Sequence, residues 1–210
     1  MIISIANLKG GALRTTTAIL LAETFRRHGR PVVVADTTPQ GDALKWASYA
    51  ATKERPLDFE VRALRQDSSI QDLRERSKAF RTSLKALEDS LGKEGVVVVD
   101  TDSRDPRILH ILNGVIDASV VPFELSFLSL NPTLETLKII NVEYVMFAHH
   151  RYDEINDEDK ALLARIAVNR NALCSEFFGY EAKCVQLDFP SEMPAFEQLM
   201  KDIEALKLDV

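Results

Sequence analysis

The tightest constraint in this chain is its first forty residues. Met1-Ile2-Ile3-Ser4-Ile5-Ala6 is a β-branched apolar run too short for a helix, and Asn7-Leu8-Lys9-Gly10-Gly11 stops it. Ala18, Leu21, Ala22 and Phe25 then recur at helical spacing until Arg26-Arg27-His28-Gly29, where basic residues followed by glycine form a helix stop. Pro31-Val32-Val33-Val34-Ala35-Asp36 is a second buried run. A strand, a glycine turn, a helix and a second strand in one sheet require parallel strands joined by a right-handed crossover.

The remainder extends that pattern. Gly95 to Asp100 and Ala118 to Pro122 are continuous apolar runs, as a sheet covered on both faces demands. Further strands are predicted at Leu163–Val168, Lys183–Leu187 and, shorter, Phe59–Arg62. Leu73, Phe80, Leu84, Leu87 and Leu91 mark an amphipathic helix whose outer face carries Arg74, Arg76, Lys78, Arg81 and Lys85. Another helix is predicted after Asn131-Pro132, and 153–159 reads as a solvated acidic loop and cap. With no repeat, low-complexity tract or linker, the expectation is one α/β domain over residues 1–210. Its fold class is a doubly wound, mostly parallel sheet with helices on both faces.

Composition excludes several functions. Lys plus Arg is 26 against 32 Asp plus Glu, a net charge of −6, so a constitutive charge-driven nucleic-acid binder is disfavoured. Cys174 and Cys184 are the two cysteines and form no metal signature; with no secretory pattern ahead of the first strand, a reducing cytoplasmic setting is expected. His110, His149 and His150 lack acidic or thiol companions at ligand spacing. No apolar run approaches the ~20 residues that cross a bilayer. The tail Phe196, Leu199, Met200, Ile203 and Leu206 is helical in spacing, but its polar face bears Glu197, Asp202 and Glu204 rather than the basic face of a membrane-surface helix. It is expected to dock on the core, and Trp46 and Phe196 to act as apolar anchors.

Ligands of doubly wound sheets bind beyond the carboxyl ends of the strands, which puts Lys9-Gly10-Gly11-Ala12-Leu13-Arg14-Thr15-Thr16 at the centre of any chemistry. Glycines let backbone N–H groups close around oxygen atoms, a cation meets phosphates, and a hydroxyl binds Mg²⁺. Asp36 and Asp100, each ending a strand, are candidate carboxylates for the metal, directly or through water. The alternative for each is a cap on the loop that follows.

This loop resembles that of the ParA/MinD family of deviant Walker ATPases, especially small plasmid-partition proteins, whose loop reads Lys-Gly-Gly-x-Gly-Lys-Thr-Thr. Asp36-Thr37-Thr38-Pro39-Gln40-Gly41 is similar to the family's Asp-x-Asp-Pro-Gln-Gly switch, and Val99-Asp100-Thr101 to its Walker B strand end. Val121-Pro122-Phe123-Glu124 with Leu128-Ser129-Leu130 is similar to its next strand and helix start, and Asn169-Arg170 to a late adenine-contacting pair. The resemblance implies ATP or ADP with Mg²⁺ as cofactors. Gly10, Gly11, Ala12, Leu13, Arg14, Thr15 and Thr16 would hold the phosphates, and Asn169 and Pro190 would lie by the adenine. Thr15, Asp36 and Asp100 would serve the metal, Lys9 would reach the phosphates of a second copy, and Asp36 and Thr38 would serve the attacking water. It further implies a nucleotide-dependent homodimer, a centromere-binding ParB-type partner protein, nonspecific DNA as a track and no membrane.

Three positions depart from the pattern. Arg14 stands for the P-loop lysine, exchanging a compact ammonium for a planar fork. Leu13 stands for a glycine, so a positive φ there costs about 1–2 kcal/mol. Thr38 replaces the second switch aspartate. Positioning and charge stabilisation in phosphoryl transfer are worth orders of magnitude in rate, about 10³–10⁵ for an arginine finger, so slow or lost hydrolysis is expected. Two functions follow: a partition ATPase slowed in turnover, or a scaffold or regulator on the same fold that does not turn nucleotide over. A reductase or ligase of the same fold is a third, the reductase disfavoured by the late positions of Cys174 and Cys184 and the ligase by the lack of any sign of a carboxylating substrate pocket.

Overall fold

The computed structural model describes residues 1–124, 126–150, 178–179 and 193–206. The predicted strands at Leu163–Val168 and Lys183–Leu187, the acidic loop 153–159, Asn169, Pro190 and both cysteines lie outside them. Seven strands form one sheet: β1 (Ile2–Ile5), β2 (Val32–Asp36), β3 (Glu60–Ala63), β4 (Val96–Asp100), β5 (Ala118–Glu124), β6 (Tyr144–His150) and β7 (Phe178–Gly179). Their order is β3-β2-β4-β1-β5-β6-β7, and every neighbouring pair is parallel. Among the described residues the helices are α1 (Arg14–Arg27), α2 (Asp42–Thr52), α3 (Leu73–Ser90), α4 (Arg107–Leu112), α5 (Phe127–Ile139) and α6 (Pro194–Ala205).

Strand periodicity divides the core into two layers. Ile3, Ile5, Val34, Val98, Val120 and Phe147 face α1 and α6. Ile2, Val33, Val97, Val99, Val121 and Met146 face α3, α4 and α5. The continuous apolar strands thus serve two covered faces. Ala18, Leu21, Ala22 and Phe25 of α1 are fully buried, as their spacing predicts. Phe196 of α6 lies 5.1 Å from Phe147 between ring centroids, tilted by 59°, so the tail helix docks on the sheet. Trp46 is partly buried against the same layer.

Three elements differ from the sequence reading. The helix expected after Pro132 begins at Phe127 and carries Pro132 inside it. The Pro132 carbonyl accepts the Thr136 hydroxyl at 2.7 Å. Leu73 opens α3 but is 66% exposed, leaving Phe80, Leu84 and Leu87 as the buried face. Asp72 is the α3 N-cap and takes the N–H groups of Arg74 and Glu75 at 2.8 and 2.9 Å. Finally, β6 occupies Tyr144–His150, where the sequence reading places no strand.

The chain order sets the functional edge. From the centre of the sheet, β1 leads through α1 to β2 on one side, whereas β4 leads through α4 to β5 on the other. The crevice beyond the carboxyl ends of β1 and β4 is therefore the topological switch point.

Candidate functional site

The turn from β1 into α1 is held from beneath. The buried Asn7 side-chain amide donates to the Pro122 carbonyl at 2.9 Å and to the Thr133 hydroxyl at 3.0 Å, and Asn7 Oδ1 accepts the Lys9 N–H at 2.8 Å. Leu8 N–H donates to the Thr136 hydroxyl at 2.9 Å, tying the turn to α5. Gly11 adopts φ 78°, a conformation that favours glycine. Leu13 sits in the left-handed region at φ 55° and ψ 28°, so the strain expected of a non-glycine residue there is present.

Leu13 is also the N-cap of α1, and its side chain makes no capping bond. No acidic residue occupies the first turn of this 14-residue helix. Its leading N–H groups and the positive end of its dipole face the crevice without a counter-charge from their own turn, a setting that suits an anion. Among the described residues, the Lys9 ammonium donates to the neighbouring Gly10 carbonyl at 3.2 Å, in an exposed position. Thr16 is buried and Gly10 and Gly11 are exposed.

Arg14 turns inward. Its Nε donates to the Thr101 carbonyl at 3.0 Å, and Nη1 to the carbonyls of Asn7 at 2.5 Å and Lys9 at 2.7 Å. Burial pulls its pKa below the ordinary arginine value, while the charges of Asp100 and Asp102 oppose the shift. A guanidinium stays ionised through such a shift.

Asp36 and Asp100 end adjacent strands as register partners, and the two-residue period turns both toward the α1 face. Their environments differ. Asp36 Oδ1 accepts the Thr38 N–H at 2.9 Å and the Thr38 hydroxyl at 2.7 Å, and Oδ2 accepts the Leu44 N–H at 3.1 Å. The Thr38 hydroxyl in turn accepts from Gly41 and Asp42 N–H at 3.1 and 3.2 Å. Asp36 therefore organises its own switch loop and the start of α2.

Asp100 Oδ2 accepts the Thr15 hydroxyl at 2.7 Å, whereas its buried Oδ1 accepts no hydrogen bond from the described residues. Burial pushes its pKa up to about 7; the Thr15 bond works against that shift and the charge of Asp36 adds to it. A buried carboxylate with a vacant oxygen beside a hydroxyl is a donor set that fits a hard divalent cation. Such a cation would supply the charge that burial now denies.

The sequence reading missed Arg65. Its guanidinium donates to the Asp36 carbonyl and lies 3.8 Å from Asp36 Oδ1. It rims a pocket of about 170 Å³ between the loops after β2 and β4, floored by Leu64, Phe80 and Ile108. Asp102 and Asp105 of the second loop also line it, Asp102 accepting from Arg104 and Asp105 from Arg107. Arg65 follows β3 and carries no motif; pairing with the β2 end arises only through the β2–β3 register.

A family model described as an AAA domain matches residues 1–142, well over half of the chain. The chain belongs to this AAA-domain family. Its fold is shared by solved structures of a plasmid partition protein, a synthase and a cell division ATPase. Solved structures similar to it include a plasmid partition protein of Borrelia burgdorferi, 13% identical, with a TM-score of 0.66 over 100% of this chain and 98% of that one. Cobyrinic acid a,c-diamide synthase of Mycobacterium smegmatis with bound ADP and magnesium is 15% identical, at a TM-score of 0.67 over 98% and 92%. The cell division ATPase MinD of Pyrococcus furiosus is 16% identical, at 0.63 over 98% of both chains. At these identities the solved structures speak for the fold. Among the described residues of this AAA-domain protein, no helix is long and apolar enough to cross a membrane.

Proposed function

We propose that the chain is a ParA-like partition protein, one domain over residues 1–210, that binds ATP with Mg²⁺ in the cytoplasm. It pairs face to face with a second copy around the nucleotide and hydrolyses it slowly or not at all. The observation that carries this reading is the Thr15–Asp100 pair, with a vacant Asp100 oxygen, at the uncapped start of α1.

In this reading the N–H groups of Gly10, Gly11, Ala12, Leu13, Arg14, Thr15 and Thr16 surround the phosphates, and Lys9 serves the second copy. Thr15 and Asp100 hold the metal, and Asp36 acts from behind through the switch loop. Asn169 and Pro190 serve the adenine. A centromere-binding ParB-type protein and nonspecific DNA are the partners that belong to this role, and the ADP and magnesium of the similar synthase support the cofactors.

A second reading is favoured by Thr38. Because its hydroxyl is engaged by Asp36, Gly41 and Asp42, it stands as a loop clasp where hydrolysis calls for a water-positioning carboxylate. That favours a scaffold or regulator that binds nucleotide without turnover. Light scattering with and without ATP and Mg²⁺, beside phosphate release, separates the two. A dimer that forms only with nucleotide supports the partition reading, whether release is slow or nil, and a dimer indifferent to nucleotide and without release supports the scaffold. Turnover at ~1 s⁻¹ or faster contradicts the assignment of Thr38.

A further inference from the structure

Arginine in place of the loop lysine looks like a loss, yet its geometry shows a function that lysine cannot share. Arg14 binds three backbone carbonyls from three places: Asn7 at the end of β1, Lys9 within the turn, and Thr101 beyond β4. These are the segments that must keep a fixed spacing if the turn is to surround an anion. A guanidinium directs its five donors along fixed, coplanar lines, whereas an ammonium has three donors on a freely rotating stem. Here Nε and Nη1 make all of these bonds, and Nη2 donates to none of the described residues.

The neighbouring backbone needs such a frame. Leu13 is held in the left-handed region without help from a side-chain cap, and Gly11 also has positive φ. A turn with that strain and with unpaired N–H groups pointing into one crevice would relax without a ligand unless something fixed it. The Arg14 bonds to Lys9 and Asn7 span the turn from its middle to its base and supply that restraint.

Resting on the nucleotide-binding reading above, we propose that Arg14 is a positioning residue that holds the turn in its anion-binding shape before any ligand arrives, through Nε and Nη1, and presents Nη2 to a phosphoryl oxygen. One side chain then does two things that a lysine must do alternately. Arg14→Lys is therefore an impairment here and not a repair toward the family pattern. The planar fork is what holds Leu13 in its left-handed conformation.

The test compares wild type, Arg14→Lys and Arg14→Ala in two measurements. Amide hydrogen exchange of residues 8–13 without nucleotide reads the frame, and calorimetric titration with ADP and ATP reads the ligand. Arg14→Lys is expected to lose exchange protection in the turn and about tenfold or more in nucleotide affinity, as for loss of charge-assisted bonds at a bidentate site. Added guanidinium ion at millimolar concentration is expected to restore part of both to Arg14→Ala, a rescue that a purely structural contribution to folding would not show. If Arg14→Lys matches or exceeds wild type in protection and affinity, the proposal is overturned. If wild type itself takes up no nucleotide, the nucleotide reading and the Nη2 contact both fail, and the frame is then decided by exchange alone: unchanged protection in Arg14→Lys overturns it, lost protection upholds it.

Discussion

Thr15 Oγ1 lies 2.7 Å from Asp100 Oδ2, so a side-chain hydrogen bond joins the first turn of α1 to the carboxyl end of β4. Through it, the helix that offers N–H groups to an anion is locked to the strand that offers a carboxylate to a cation. The other Asp100 oxygen is buried and vacant among the described residues.

The burial of Asp100 has a pH signature. The Asp100 pKa is raised from 3.8 to about 7 by burial and by Asp36. Between these values the folded state holds a proton that the unfolded state has released, so stability falls as pH rises and levels off above about 7. The slope approaches at most about 1.4 kcal/mol per pH unit. Denaturant unfolding from pH 4.5 to 8 is expected to show this decline in wild type and a flatter profile in Asp100→Asn, whose carbonyl still accepts from Thr15. Parallel profiles would place the titrating group elsewhere.

Thr38 supports the switch loop through three partners, Asp36, Gly41 and Asp42. Thr38→Val keeps the shape and removes these bonds, for an expected loss of about 1–3 kcal/mol. Thr38→Asp sets a second carboxylate against Asp36 at a position only 5% exposed. It is expected to destabilise the protein without metal and to recover part of the loss in Mg²⁺. Urea unfolding with and without Mg²⁺ reads both; full metal-free stability in Thr38→Asp would refute the clasp.

At Leu13 the order of substitutions carries the information. Glycine relieves about 1–2 kcal/mol of left-handed strain and raises the entropy of the unfolded chain by a comparable or smaller amount. Leu13→Gly is thus expected to lie within about 1 kcal/mol of wild type, and Leu13→Val, β-branched at φ 55°, to be the less stable variant. Thermal melts that rank Val above Gly would contradict the backbone described here.

Phe196 joins α6 to Phe147 of β6 and is fully buried. Phe196→Ala is expected to cost about 3–5 kcal/mol, as large aromatic deletions in cores do. A change below about 1 kcal/mol would mean that α6 is not part of this core.

Much of this architecture was legible in the residues. β1, β2, β4 and β5 are apolar runs punctuated by turns, and Ala18, Leu21, Ala22 and Phe25, picked out by their spacing, are four of the ten buried residues of α1, the rest being covered because α1 packs on more than one side. β6 escaped because Tyr-Val-Met-Phe-Ala-His-His lacks a glycine or proline boundary and does not alternate; its pairing with β5 and β7 makes it a strand. Pro132 misplaced the start of α5 because proline commonly opens a helix, whereas here Ser126 is the N-cap and the proline lies past the first turn, inside the helix.

The site divides in the same way. That Asp36 and Asp100 sit side by side follows from motif order and parallel pairing. That one is engaged by its own loop while the other keeps an oxygen free is set by Thr38 and Leu44, which no spacing rule assigns. The carbonyl partners of Arg14 were likewise hidden, since Thr101 is far away in sequence and joins the turn only through the sheet.

The central claim is that the Thr15–Asp100 pair and the start of α1 form a metal-assisted nucleotide site. Calorimetric titration of metal-stripped protein with ATP, with and without Mg²⁺, beside Asp100→Asn, tests it most directly. The account predicts micromolar binding that needs Mg²⁺ in wild type and loses that dependence in Asp100→Asn. No binding at millimolar ATP, or binding indifferent to both Mg²⁺ and Asp100, would contradict it.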